Sequence, residues 1–199
     1  FKNLIHHNDF IGTNLGIYFP GIFSFFQLGS HQRKFQIVKI FLPETYLKLQ
    51  KEEIYLSLPG LIRGILPGLE EINEKLMKET LELFKKVIEK VSEKDFYSIL
   101  YSVVIKTPHI RIGALKLLLS EVAVFDSKVI SLEDYCSKYF PDIEVLFTNA
   151  IICFLEDENS NVKKMALDFL IKKLSFDSEI LNDNQRKSIL VSMFPLLKK

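Results

Sequence analysis

Two adjacent carboxylates, Glu70 and Glu71, close the stretch "LIRGILPGLEE" (Leu61–Glu71). Paired acids can divide general acid and general base work, or hold a cation. Neighbouring residues on a helix point about 100° apart, so these two do not face one substrate atom. No His or nucleophile stands nearby with a supporting partner. A phosphate cradle asks for several glycines leading into a helix N-terminus and for a basic residue, whereas two carboxylates repel an anion. His6 and His7 are adjacent, diverge on a helix, and lack Cys or carboxylate at ligand spacing. Cys136 and Cys153 lack that spacing too, are too few for a disulfide framework, and read as small hydrophobes on apolar faces. His31 and His109 each precede a helix and read as turn residues. No catalytic residue, metal ligand or cofactor motif emerges, and the chain is not expected to be an enzyme.

The same stretch reads better as a corner between helices. Gly68 is expected to turn left-handed after a helix that ends near Leu66. Asn73 then caps the next helix, Glu74 favours its positive end, and Ile72 staples onto Met77. Exposed corners often carry binding, which makes Leu66, Pro67, Gly68, Leu69, Glu70 and Glu71 candidate partner contacts. Arg33, Lys34 and Lys39 form a compact basic cluster beside an apolar surface, the candidate site for a lipid headgroup. Each basic residue near an anionic surface contributes only about 1 kcal/mol, so three alone bind weakly.

Helices must position these groups. The chain has 199 residues, 48% hydrophobic and 26% charged, with a net charge of +1. That suits one globular domain, and no global field draws it to nucleic acid. Few cysteines suit a reducing compartment. From Phe10 to Ser30 no charge occurs, but Gly12, Gly16, Pro20 and Gly21 interrupt the run. A buried helical pair joined near Pro20-Gly21 is expected there, rather than a membrane span of about 20 apolar residues. After Asn73 a stripe of Leu76, Met77, Leu81, Phe84, Val87, Ile88 and Val91 marks a long helix. Its other face pairs Glu74 with Lys78, Lys75 with Glu79 and Glu82 with Lys86. Ser92 with Asp95 caps the following helix, and Thr107-Pro108 the one after. Further helices start at Ser131, at Pro141 or Asp142, at Asn159 or Ser160, and at Asn182 or Asp183.

Two of these helices repeat. "PHIRIGALKLLL" (Pro108–Leu119) and "NSNVKKMALDFL" (Asn159–Leu170) align Ile110 on Val162, Arg111 on Lys163, Ala114 on Ala166 and Leu115 on Leu167. "HQRKFQIVKIF" (His31–Phe41) is a weaker third copy. Ala admits a neighbouring helix closely and Leu fills the layer between, while the basic slot bonds a neighbouring carbonyl or acid. The expected fold is all-α, an irregular HEAT/armadillo-like α-solenoid of paired antiparallel helices in a single domain, 1–199.

A family resemblance rests on particular segments. "IYFPGIFSFF" (Ile17–Phe26), "FLPETYLKLQ" (Phe41–Gln50), "GLIRGILPGLEE" (Gly60–Glu71) and "DFYSILYSVVIKTPHIRIGALKLLL" (Asp95–Leu119) resemble the core of the Dopey N-terminal domain. "LEDENSNVKKMALDFLIKKL" (Leu155–Leu174) is similar to a later segment of it. The most specific part is Leu-Pro-Gly-Leu-Glu-Glu, Leu66–Glu71. Ile72 stands where the family has Gly, and Tyr101 where it has Trp, as in a divergent member.

The resemblance implies a non-enzymatic scaffold in Golgi–endosome membrane traffic, cytoplasmic and peripheral on those membranes. It implies a GEF-like Golgi scaffold protein and an aminophospholipid flippase as partners, with kinesin light chain and phosphatidylinositol 4-phosphate as further ones. The chain, beginning with Phe1, would be a piece of the N-terminal region of a much larger protein. The alternative is another helical-repeat adaptor, in nuclear transport or phosphatase assembly. Such solenoids often carry strongly acidic or basic stripes, which this near-neutral chain lacks in sequence.

Overall fold

A computed structural model describes residues 15–122, 143–174 and 181–198. His6, His7, Cys136, the helix expected from Ser131 to Tyr139, and the start expected at Pro141 or Asp142 lie outside them. Every described regular element is helical, and the fold is all-α.

Ten α-helices follow one another among the described residues: α1 (Leu15–Leu28), α2 (His31–Gln36), α3 (Leu42–Glu44), α4 (Lys51–Ile65), α5 (Glu74–Val91), α6 (Glu93–Lys106), α7 (Arg111–Leu119), α8 (Ile143–Leu155), α9 (Ser160–Lys172) and α10 (Asp183–Met193). A π-helical turn, Ile37–Phe41, joins α2 to α3, and Leu66–Leu69 extends α4 as a 3-10 turn. By packing, the chain divides into two compact units, Phe1–Leu100 and Tyr101–Lys199.

In the first unit α1 packs along α4. Contrary to the sequence expectation, α1 runs unbroken through Pro20. An interior Pro costs about 3 kcal/mol. Phe19, Phe23 and Phe26 are buried on this helix, and burial of such a side chain contributes about 1.5–3 kcal/mol each, which outweighs the break. Phe19 meets Tyr46 edge-on at 5.0 Å and stacks with Phe23 at 5.7 Å.

The close approach of α1 and α4 rests on glycine. A Cβ on Gly64 would lie 2.4 Å from the Phe23 Cβ and 3.0 Å from its Cα, and one on Gly60 would crowd the same ring. No repeat pattern in the sequence pointed to these two positions.

Helix α5 buries Leu76, Thr80, Leu83, Phe84, Val87, Ile88 and Val91. Met77 and Leu81 are only half-buried, so the inward face is rotated from the expected stripe toward Thr80 and Leu83. Asn73 caps α5 as expected, its side-chain Oδ1 accepting from the Lys75 and Leu76 N–H groups. Of the expected pairs, Glu82–Lys86 forms at 3.6 Å. Glu79 instead turns to Lys39, and Lys90 donates to the Leu47 carbonyl.

A single residue joins α5 to α6. Ser92 has φ 106°, a backbone conformation that L side chains avoid and that costs of order 1–3 kcal/mol. Its N–H donates to the Ile88 carbonyl at 2.9 Å, its hydroxyl donates to Asp95 at 2.8 Å, and the Asp95 N–H donates back at 3.3 Å. The expected Ser92–Asp95 cap is present and holds the strained turn.

In the second unit the two repeat copies pack on each other as α7 and α9. Ile110, Val162, Ala114, Ala166 and Leu115 are buried, while Leu167 is half-buried. Arg111 fills its expected role, donating to the Val104 and Ile105 carbonyls at 3.3 and 3.4 Å. These are last-turn acceptors of α6 that lack an intrahelical partner. Lys163 is half-buried and forms no ion pair among the described residues. Thr107 makes no side-chain cap; a 3-10 turn, Pro108–Ile110, intervenes before α7. Asn159 and Asn182 cap α9 and α10 as expected.

Candidate functional site

Sequence reasoning kept two candidate sites apart, the Leu66–Glu71 motif and the basic cluster Arg33, Lys34 and Lys39. The structure brings them together. Lys34 on α2 donates to Glu71 Oε1 at 2.5 Å, and His31 Nδ1 lies 3.2 Å from Glu71 Oε2. The Lys34 and Glu71 side chains are 14% and 19% exposed, sheltered enough for the pair to fix α2 against the corner. The Lys34 ammonium also lies 5.7 Å from the Phe26 ring centroid.

The corner itself differs from expectation. The chain leaves α4 in a 3-10 turn, with the Glu70 N–H donating to the Pro67 carbonyl at 3.0 Å. Gly68 is not left-handed, since no described glycine has positive φ. It is required for space: a Cβ there would lie 2.8 Å from Phe26 Cζ and 3.1 Å from Thr80 Oγ1. Ile72 does not staple onto Met77 but is 98% exposed, because the chain points it outward before Asn73 begins α5.

Leu66, Gly68 and Leu69 are buried, and Pro67, Glu70 and Glu71 half-buried. Most of the motif is therefore a joint of the fold. The surface it offers consists of Pro67, the two acids and Ile72.

The basic cluster is largely matched by acids. Lys39 donates to Glu79 Oε1 at 2.6 Å and lies 5.2 Å from the Phe35 ring centroid. Arg33 is exposed and stacks over Phe25 at 5.8 Å, with no acidic partner among the described residues. Phe25 is itself 41% exposed, and Leu28, three positions further along α1, is 88% exposed. The geometry is an Arg beside apolar side chains, next to two Lys whose charges are answered. It can contact an anion or an amphipathic surface. Among the described residues no group of His, Cys, Asp and Glu could hold a metal ion, and no helix is long and apolar enough to cross a membrane.

A second feature went unnoticed in the sequence. Between α8 and α10 lies an open cleft of about 300 Å3, lined by Val145, Thr148, Asn149, Asn184, Gln185 and Ser188. Thr148-Asn149 within the apolar helix "IEVLFTNAIICFL" was the available signal.

The described elements are all helical, and the motif-bearing corner is where the sequence is most distinctive. Residues 1–198 match the family model for the Dopey N-terminal domain, and the chain belongs to the Dopey family. Among curated proteins it is similar to Protein pad-1 of Caenorhabditis briggsae, 30% identical over 142 residues. Protein pad-1 of Caenorhabditis elegans is 29% identical over 142 residues. Each alignment covers 70% of this chain but only 6% of the relative's length. No solved structure matches the chain.

Proposed function

We propose that the chain is a non-enzymatic scaffold segment in membrane traffic between Golgi and endosomes, working at the cytoplasmic face of those membranes. The observation that carries this reading is the Dopey N-terminal match over residues 1–198, in a family tied to trafficking rather than catalysis. Its partners would be a GEF-like Golgi scaffold protein, an aminophospholipid flippase and kinesin light chain, met in part at Pro67, Glu70, Glu71 and the outward Ile72.

A phosphoinositide headgroup such as phosphatidylinositol 4-phosphate would meet Arg33 first. Leu28 and Phe25 would enter the interface beside it, as apolar side chains do at a headgroup boundary. Lys34 and Lys39 would join only by exchanging their carboxylates for the headgroup.

Co-precipitation of the chain from cell extract tests the protein partners. Recovery of a GEF-like Golgi scaffold or kinesin light chain supports the reading. Recovery of importins or phosphatase subunits instead would move the chain to a different class of helical adaptor. Flotation with vesicles containing or lacking phosphatidylinositol 4-phosphate tests the lipid contact, and binding that Arg33→Glu leaves unchanged would remove Arg33 from it.

A further inference from the structure

The cleft between α8 and α10 contains two buried polar groups without partners. Thr148 is 8% exposed and Gln185 7%, and neither the Thr148 hydroxyl nor the Gln185 Nε2 meets a hydrogen-bonding atom among the described residues. A buried polar group left unmet is costly, and native proteins retain few such groups. Both stand in the wall of the same cleft.

The Gln185 amide is fixed in this orientation. Its Oε1 accepts from the Asn182 N–H at 2.9 Å, and the Gln185 N–H donates to Asn182 Oδ1 at 2.9 Å. The capping exchange occupies the oxygen and leaves the NH2 group buried without a partner among the described residues. Along α10, Asn184 and Ser188 stand four positions apart on one face, with Asn149 across from them on α8. The Ser188 hydroxyl donates back to the Asn184 carbonyl at 2.9 Å, so its lone pairs can still accept.

The lining chooses the ligand class. None of its described lining residues is charged, so these offer nothing to neutralise a phosphate or a carboxylate. None of these described residues is aromatic, so they give a sugar ring no face to stack on. Carboxamides and hydroxyls offer donors and acceptors side by side, matching the N–H and C=O that alternate along an extended polypeptide. Val145, 57% exposed, borders the cleft and gives a small side chain an apolar contact. About 300 Å3 lies at the lower end of the range for ligand clefts and takes a short stretch of backbone.

We infer that this cleft binds an extended, uncharged segment of a partner protein through its main-chain amides, with Thr148 Oγ1 and Gln185 Nε2 as the buried anchors. This goes beyond the trafficking reading and does not depend on it.

The test is an NMR titration of the 15N-labelled 199-residue chain with an end-capped octapeptide of alternating Ser-Ala and Val-Ala pairs. Saturable shifts are expected at the side-chain NH2 groups of Asn149, Asn184 and Gln185. The same peptide with alternate N-methylated amides should bind at least tenfold more weakly. Thr148→Val, which keeps the shape and removes the hydroxyl, should weaken binding about three- to tenfold while the melting temperature holds or rises. Should that variant fail to fold, Ser188→Ala gives the same reading. The inference is overturned if no saturable shift appears at millimolar peptide, or if the N-methylated peptide binds equally well. Shifts produced by maltohexaose or acetate but not by the peptide also overturn it.

Discussion

Arg111 Nη1 lies 2.7 Å from Asp157 Oδ2, an ion pair that spans 46 positions and fastens α7 to the start of α9. Both side chains are about nine-tenths buried, at 11% and 10% exposure. The other Asp157 oxygen accepts from the Asn159 N–H at 2.7 Å, so one carboxylate anchors the cation and shapes the turn. Removing one partner of a buried pair strands the other's charge and costs about 3–5 kcal/mol. Asp157→Ala and Arg111→Met should each lower stability toward that range in urea denaturation. The double variant should lose clearly less than the two single losses added together. Simple additivity would mean that the pair carries no coupling.

Gly64 predicts a backbone clash rather than a side-chain adjustment. Gly64→Ala puts a methyl group 2.4 Å from the Phe23 Cβ. Overpacking of this kind typically costs about 1–3 kcal/mol, and because the Phe23 backbone is also in the way, the upper part of that range is expected. Gly21 on α1 has open space around its Cβ position, so Gly21→Ala should instead gain up to about 1 kcal/mol. Thermal melts of the two variants should move in opposite directions. If Gly64→Ala melts with the parent chain, α1 and α4 do not approach through glycine.

Glu71 restrains Lys34, so removing its charge should help an anionic ligand. Glu71→Gln keeps the shape of the corner and frees the ammonium beside the exposed Arg33. Flotation with vesicles carrying phosphatidylinositol 4-phosphate should rise several-fold, since each freed cation near such a surface adds about 1 kcal/mol. Stability should fall modestly, because a half-sheltered pair contributes less than a buried one. Unchanged or weaker flotation would disconnect Lys34 from lipid binding.

Tyr46 gives the first unit an alkaline weakness. Burial raises its phenol above the ordinary tyrosine value of 10.0, and the hydrogen bond with Ser57 at 3.0 Å only partly opposes this. The unfolded chain therefore loses this proton at lower pH than the folded one. The contribution to stability is complete below the ordinary value and is lost as pH climbs through and beyond it. Tyr46→Phe should flatten that decline, while costing about 1 kcal/mol at neutral pH through the lost bond to the Ile54 carbonyl. Chemical denaturation at pH 8 and at pH 11 compares the two, and parallel pH slopes would absolve Tyr46.

Local signals were read well from the sequence. Asn73, Ser92, Asn159 and Asn182 open helices because their side chains bond the first N–H groups, a matter of three or four neighbouring residues. The Ala114/Ala166 repeat predicted two helices that do pack together. Long-range geometry was not legible. Pro20 looked like a break because its cost is local, while the three buried Phe side chains that outweigh it reach distant partners, Phe19 to Tyr46, Phe23 to Gly64 and Phe26 to Gly68. Gly68 suggested a turn conformation, whereas its constraint is the Phe26 ring, forty-odd positions earlier. The two candidate sites merged for the same reason, since no spacing rule reveals that Lys34 meets Glu71.

The Ser92 joint has no slack. A connection of one residue, already twisted into a disfavoured backbone state, cannot absorb an extra amino acid or give one up without redirecting everything after it. Peptides inserted along the chain should therefore be rejected here and accepted at looser surface positions. Homologous chains that keep this fold should vary freely in the composition of α5 and α6 but hardly at all in the distance between them. The place where the polypeptide is shortest is then also where its lineage is least free to experiment.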